Sequence, residues 1–138
     1  MTQYVTFTLG DALYGVDVTR VQEALRAHTR TRVPLAPIDV AGLVNLRGQV
    51  VLTIDLRPRL GVPPRAADAE PRMVVVQVDG EPVSLLVDEI GDVVEVGPEL
   101  FEVPPDTLDV GLRRLITGAY KLESALLLIL DVDQAVAA

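Results

Sequence analysis

The chain contains a gapless internal repeat, and this repeat restricts its fold more than any other feature. The segment VAGLVNLRGQVVLTIDL (residues 40–56) aligns over ITGAYKLESALLLILDV (residues 116–132). The aligned pairs include Gly42 over Gly118, Leu46 over Leu122, Gly48 over Ser124 and Asp55 over Asp131. Each copy has the pattern of a strand, a tight turn, a buried strand and a helix-capping aspartate. Two copies of a small, twisted set of strands predict two little β-barrels packed together.

A weaker match sets residues 7–21 over residues 76–90. Apolar residues recur at every second position in both segments, which is the period of a β-strand. Gly10-Asp11 and Asp79-Gly80 stand between the alternating runs and predict tight turns. We therefore expect a β-hairpin near the start of each half of the chain.

Helix signals are short and few. Thr19 and Gln22 have the spacing of a capping box, which predicts one or two helical turns with Val18, Val21 and Leu25 facing inward. Asp55 is expected to cap a helix over residues 56–60 that ends at Gly61, and Asp131 to cap a final turn.

The length and composition suit one compact unit built of two similar halves. Of the 138 residues 49% are hydrophobic and only 4% aromatic, so the core is expected to be aliphatic. We expect the halves to span about residues 1–66 and 67–138, and the terminal strands could be exchanged between them. Halves of roughly 60 to 70 residues are marginally stable alone, so their contact should form a third core.

The formal net charge of −8 argues against two classes of partner. A duplex nucleic acid requires a basic face, and an anionic membrane repels an acidic surface. The chain has no cysteine, its start lacks the pattern of a signal peptide, and its longest apolar run, residues 125–130, is too short to span a bilayer. We therefore expect a cytoplasmic protein without membrane insertion.

The sequence offers little catalytic chemistry. His28 is the only histidine and is flanked by arginines, so a solvated loop residue is expected. The carboxylates of Asp88, Glu89, Asp92 and Glu95 are close in sequence and could form a metal site. Alternation along a strand places neighbouring side chains on opposite faces, so we expect these carboxylates to form a solvated rim instead. We therefore expect no catalytic residues, no metal and no cofactor.

Arg47 stands inside Asn-Leu-Arg-Gly, directly before an apolar run, and its role is an open question. The aligned residue of the second copy is Glu123, so the turn itself does not demand arginine. Arg47 is either solvated, or paired with a nearby carboxylate for at most about 1 kcal/mol, or a contact for another molecule. Arginine is enriched at the energetic centres of interfaces, which favours the last reading. The sequence further predicts a positive φ or a close approach at both Gly48 and Ser124.

These motifs resemble the signature of the CheW-like chemotaxis coupling proteins. The resemblance rests on GLVNLRG (residues 42–48), FTLG (residues 7–10), YGV (residues 14–16), VQE (residues 21–23) and ITG (residues 116–118), and it covers nearly the whole chain in order. It implies an all-β fold with short helices, made of two SH3-like five-stranded barrels, and a scaffold without catalysis.

The resemblance also implies partners and contact residues. Such proteins bridge methyl-accepting chemoreceptors, through the tip of the receptor's helical hairpin, to the regulatory domain of the chemotaxis histidine kinase. It implies that Arg47 contacts the receptor, with Asn45, Leu46 and Gly48 shaping the turn that presents it. The positions of Val21, Glu23 and Gly42 match the family's coupling surfaces for receptor or kinase.

Three alternatives remain open from the residues. The same adaptor could serve a pilus or gliding motility pathway. A double β-barrel could instead bind an apolar small molecule in the groove between its barrels. An enzyme would have to use carboxylates such as Asp88 and Glu89.

Overall fold

The computed structural model describes residues 1–26, 31, 34, 36–66, 69–106 and 108–137. These residues form mostly β-strands, with three α-helices of four or five residues. The strands are β1 (Thr2–Leu9), β2 (Ala12–Asp17), β3 (Val21–Arg26), β4 (Val40–Leu46), β5 (Gln49–Asp55), β6 (Arg72–Val78), β7 (Glu81–Val87), β8 (Glu89–Val96), β9 (Phe101–Glu102), β10 (Ile116–Lys121) and β11 (Leu126–Leu130). The helices are α1 (Leu56–Arg59), α2 (Val110–Arg113) and α3 (Val132–Val136). The predicted all-β class with short helices is confirmed.

The strands form two sheets. One has the order β8-β1-β2-β11-β10-β9 and the other the order β3-β6-β7-β5-β4. The prediction of five strands on each side is therefore wrong for the first sheet. The reason is the two-residue strand Phe101–Glu102, which adds to the edge of β10 opposite Ala119 and Tyr120.

Each sheet takes strands from both halves of the chain. The hairpin β1–β2 lies in the sheet of β8 to β11, and the hairpin β6–β7 lies in the sheet of β3 to β5. Strands of the two halves meet in two antiparallel pairs, β1 with β8 and β3 with β6, and in two parallel pairs, β2 with β11 and β7 with β5. The predicted boundary near residue 66 falls in the segment between α1 and β6, and the division into halves at that point stays a prediction.

The strand registers agree with both internal alignments. Gly15 pairs with Ile129, and the aligned residues Ser84 and Thr53 pair with each other in the same way. A β-bulge interrupts β4–β5 pairing between Val40 and Gly42, and the same irregularity occurs between the aligned residues of β10. Both predicted hairpins are confirmed.

Three apolar clusters hold the sheets together. The largest contains buried residues of both sheets, including Phe7 and Leu128 from one and Val76 and Leu85 from the other. A second cluster around Met73 belongs to the five-stranded sheet, and a third around Leu127 belongs to the six-stranded sheet. The cluster shared by both sheets corresponds to the third core that the sequence predicts. Side chains alternate along a strand, so alternate residues of β6 and β11 face different cores.

The helix predictions are confirmed at Asp55 and Asp131 and are wrong for the segment after β2. Asp55 accepts a hydrogen bond from the backbone N–H of Arg57 and caps α1, and Asp131 caps α3 through Gln134. The capping box at Thr19 is wrong. Asp17 caps a single 3-10 turn over Val18–Arg20, and the chain then continues as β3 because residues 21–26 pair with β6.

Among the described residues, no helix is long and apolar enough to cross a membrane. His28 lies outside the described residues, so the expectation of a solvated loop histidine stays a prediction.

Candidate functional site

Arg47 and Gly48 form the two-residue turn between β4 and β5. Both have positive φ, 51° at Arg47 and 86° at Gly48, which is the geometry of a type I′ hairpin turn. The side chain of Asn45 closes the turn, since its Oδ1 accepts a hydrogen bond of 2.9 Å from the backbone N–H of Gly48. The turn therefore holds Arg47 at its tip with a fixed backbone direction.

The guanidinium of Arg47 forms an ion pair with Glu23 of β3. Arg47 Nη1 donates to Glu23 Oε1 at 3.1 Å, and Nη2 donates to Oε2 of the same carboxylate. The Arg47 side chain is nevertheless 68% exposed, whereas that of Glu23 is 25% exposed. The pair orients the guanidinium and leaves most of its surface open to another molecule.

Asn45 and Gly48 are exposed like Arg47, whereas three other predicted site residues are less accessible. Leu46 is buried in the cluster around Met73, and Val21 is half-buried against the central core. Gly42 is buried, with φ of 136° at the β4 bulge. The structure thus brings Asn45, Gly48, Glu23 and Arg47 together around one turn. Leu46, Val21 and Gly42 lie beneath this surface.

Two exposed apolar side chains on β5 were missed by the sequence analysis. Val50 is 64% exposed and Leu52 39% exposed, although both stand in a run that resembles a buried strand. Val50 pairs with Asn45, and Leu52 pairs with Leu43, so these residues continue the surface that begins at the turn. Alternation with the buried Val51 and Thr53 was the available signal.

The second copy of the turn differs from the first. Leu122 donates its backbone N–H to the carbonyl of Ala125, so Glu123 and Ser124 also occupy a two-residue turn. Neither has a positive φ, because Arg47 and Asp79 are the only non-glycine residues with one in the described part of the chain. The positive φ is confirmed for Gly48 and is absent at Ser124, where the alternative of a close approach stays a prediction.

Asp88 is not part of a solvated rim, which corrects that prediction. Its carboxylate accepts hydrogen bonds from Arg57 Nε at 3.0 Å, from Arg65 Nη2 at 3.3 Å and from the backbone N–H of Gly10 at 2.8 Å. Burial raises the pKa of Asp88, but these hydrogen bonds and the positive charges of both arginines outweigh it and hold the pKa below its usual value. A carboxylate held ionised in this way is poorly suited to act as a general base near neutral pH.

The remaining acidic residues of that region, Glu89, Asp92 and Glu95, are exposed on β8. Across the described ranges, no group of three or more acidic, cysteine or histidine side chains has the arrangement of a metal site.

A cavity of about 770 Å³ lies near the ends of β5 and β7 that are remote from the Arg47 turn. Prolines and alanines of residues 58–71 line much of it, together with Ile38 and Leu86. Its charged groups, Asp55 and Arg65, are paired with each other at 3.1 Å. The cavity is therefore mostly apolar and is not the groove in which the small-molecule alternative placed its ligand.

Comparison with known proteins gives matches over nearly the whole chain. The family model described as CheW-like domain matches residues 3–138. The probable chemotaxis protein CheW of Rhizobium etli is 28% identical over 131 residues, covering 95% of this chain and 84% of the relative. The chemotaxis protein CheW of Bacillus subtilis is 31% identical over 129 residues, covering 94% and 83%. The crystal structure of the scaffolding protein TtCheW from Thermoanaerobacter tengcongensis is similar with a TM-score of 0.88 and 27% identity, covering 99% of this chain and 93% of that one.

Proposed function

The chain belongs to the CheW-like domain family, and we propose that it is a non-catalytic adaptor in chemotaxis. In this role it couples methyl-accepting chemoreceptors to the chemotaxis sensor histidine kinase in the cytoplasm. The proposal is supported by relatives named as chemotaxis proteins and by the similar structure named as a scaffolding protein.

The observation that carries the proposal is the exposed guanidinium of Arg47 at the tip of a rigid turn. The Arg47 side chain is 68% exposed while Glu23 orients its guanidinium, so the side chain loses little conformational freedom when a partner binds. A guanidinium carries five N–H donors, of which the pair with Glu23 uses two, and arginine is frequent at the centres of interfaces. Its neighbours Val50 and Leu52 add exposed apolar surface to the same area.

The named residues then have distinct roles. Arg47 contacts the helical hairpin tip of the receptor, and Asn45, Leu46 and Gly48 fix the turn that presents it. Glu23 orients the guanidinium, while Val21 and Gly42 shape the strands of the coupling surface beneath it. The regulatory domain of the kinase is the second partner on this surface or beside it.

A pull-down with purified partners tests the proposal. The immobilised protein is incubated with the cytoplasmic signalling fragment of a chemoreceptor and, separately, with the kinase regulatory domain. Arg47→Ala should raise the Kd for the receptor fragment roughly thirtyfold and so lower its retention sharply, because a central arginine contributes about 2 kcal/mol. The variant should keep its free energy of unfolding within about 0.5 kcal/mol, since the side chain is exposed.

Arg114→Ala is the matched control, because Arg114 is an exposed arginine after α2 and away from the β4–β5 turn. This variant should retain both partners like the wild type. Equal retention of the receptor fragment by wild type and Arg47→Ala would contradict the assignment of Arg47, and failure of the wild type to retain either partner would contradict the adaptor role.

A further inference from the structure

The two parallel strand junctions carry equivalent ion pairs of opposite polarity. Where β5 meets β7, Arg57 of α1 pairs with Asp88, which follows β7. Where β11 meets β2, Asp133 of α3 pairs with Arg20, which follows β2. In the internal alignment position 57 corresponds to position 133, and position 88 falls within one residue of the counterpart of position 20. The arginine and the aspartate have thus exchanged places.

Both pairs have the geometry of direct contacts. Arg57 Nε lies 3.0 Å from Asp88 Oδ1, and Arg20 Nη2 lies 2.7 Å from Asp133 Oδ1. The first pair is the more enclosed, with side chains 13% and 21% exposed against 35% and 59% for the second. Each pair ties a hairpin to the helix of the other half of the chain.

The repeat creates a competing arrangement. Because the halves share one pattern, each hairpin could pair with its own half, β2 beside β5 and β7 beside β11. A parallel connection needs a dozen or more residues, and the segments 18–48 and 88–125 between those strands are long enough. In that arrangement Arg20 would meet Arg57, and Asp88 would meet Asp133.

We propose that the reversed polarity of these two ion pairs selects the exchanged strand pairing against the unexchanged one. Opposite charges meet at both junctions in the observed fold, and like charges would meet at both junctions in its competitor. The choice between the two strand pairings depends on the difference in their free energies and not on the strength of either ion pair alone.

A steric feature of the same junctions acts in the same direction. A Cβ atom at Gly15 would lie 3.1 Å from Leu127 and 3.4 Å from Ile129, so β11 fits closely against a strand without a side chain there. The aligned residue of the other hairpin is Ser84, which lies buried opposite Thr53. Placing β7 beside β11 would bring Ser84 against the large side chain of Ile129. The unexchanged pairing is therefore opposed by packing as well as by charge.

Three variants of identical composition and net charge test the proposal. They are Arg57→Asp/Asp88→Arg, Arg20→Asp/Asp133→Arg and the fourfold combination. Each double variant keeps opposite charges within both native pairs but also creates opposite charges in the competitor. Asp88→Arg in addition places an arginine against Arg65, so the readout is the ratio of the two strand pairings and not stability alone. The fourfold variant restores like charges in the competitor.

The variants are unfolded in urea, refolded by dilution and separated by size exclusion. Nuclear Overhauser effects between the backbone protons of Gly15 and Ile129 identify the exchanged pairing, and those between Gly15 and Thr53 identify the unexchanged one. We expect each double variant to increase the non-native fraction by roughly three- to tenfold, and the fourfold variant to return to within about twofold of wild type.

The return of the native strand pairing in the fourfold variant distinguishes charge-based selection of the pairing from a general loss of stability caused by the substitutions. Arg57 and Arg20 also donate to the carbonyls of Pro63 and Gln77, so damage alone would make the fourfold variant the worst of the three. That ordering would overturn the proposal. Double variants that refold as completely as the wild type would overturn it equally.

Discussion

Arg47 and Asp79 occupy the same position in two turns of the same geometry. Both have φ of 51°, and each precedes a glycine, Gly48 with φ of 86° and Gly80 with φ of 79°. Left-handed backbone costs about 1–2 kcal/mol for most side chains, while asparagine and aspartate tolerate it better. Asp79 therefore suits its turn, whereas Arg47 stands where the backbone favours another residue. This unfavourable backbone at an exposed tip supports the proposal that the Arg47 side chain binds a partner.

Arg47→Asn should not lower the stability of the fold, and we expect a gain of up to about 1 kcal/mol in the free energy of unfolding. Asparagine before glycine suits a type I′ turn, and the exposed ion pair that is lost contributes at most about 1 kcal/mol. Urea denaturation measures the stability, and the receptor pull-down should show lost binding in the same variant. Asp79→Asn is the control for the turn, with little change in either measurement. A loss of more than about 1 kcal/mol in Arg47→Asn would mean that the ion pair with Glu23 dominates the turn.

Gly48→Val should lower the melting temperature, because a β-branched residue resists a φ of 86°. The expected loss is about 1–2 kcal/mol, measured by thermal and urea denaturation. Ser124→Val at the aligned position is the control, and its stability should change by no more than about 0.5 kcal/mol, since Ser124 lacks a positive φ. Equal losses in the two variants would show that bulk at the turn, not backbone conformation, sets the effect.

Asp88→Asn should destabilise the protein by about 2 kcal/mol at neutral pH and flatten its response to acid. The pKa of Asp88 is lowered in the folded state from its ordinary value of 3.8. The carboxylate therefore contributes stability above pH 3.8, and this contribution is lost as the pH falls through the lower folded pKa. Urea denaturation from neutral pH down to pH values below 3.8 measures both effects.

Glu95→Gln is the control for Asp88, because Glu95 is an exposed carboxylate on β8. It should leave the free energy of unfolding nearly unchanged. An Asp88→Asn protein that loses stability in acid as steeply as the wild type would contradict the role given to the hydrogen bonds from Arg57 and Gly10.

Tyr4→Phe should reduce the loss of stability at high pH. Burial is the main cause that raises the pKa of Tyr4 to about 12, followed by a hydrogen bond with Tyr120. A raised pKa means that the stability contribution is complete below the ordinary value of 10 and is lost as the pH rises towards 12. Tyrosinate absorbance during a pH titration follows the ionisation directly, and denaturation at alkaline pH follows the stability. The ionisation of Tyr4 is the difference between the wild-type and Tyr4→Phe titrations, and a midpoint near pH 10 in that difference would refute the assignment.

The features predicted correctly from the sequence depend on residues that are neighbours along the chain. Asp55 and Asp131 cap their helices through backbone groups two and three residues away, so the local pattern contained the necessary information. The turn at Asp79-Gly80 is local in the same sense. The internal repeat also relates residues far apart in sequence, because its alignment matches the strand registers of β5 and β11.

The features that were missed depend on residues far apart in sequence. The capping-box pattern at Thr19 does not start a helix, because residues 21–26 form β3 instead. Pairing with β6 satisfies the backbone hydrogen-bonding groups of this whole strand. The neighbours of Asp88 come from two other segments, at Gly10 and at Arg57, and no spacing rule connects them. The left-handed conformation of Arg47 was hidden because arginine is not a residue that signals it.

The exchange of hairpins between the sheets has a consequence for synthesis on the ribosome. β2, at Ala12–Asp17, is translated long before its parallel neighbour β11, at Leu126–Leu130. The edge of the emerging hairpin that pairs with β11 therefore stays uncovered until residues 126–130 have been translated. We expect nascent chains of this protein to depend on chaperones for longer than chains of equal size whose strands pair with near neighbours.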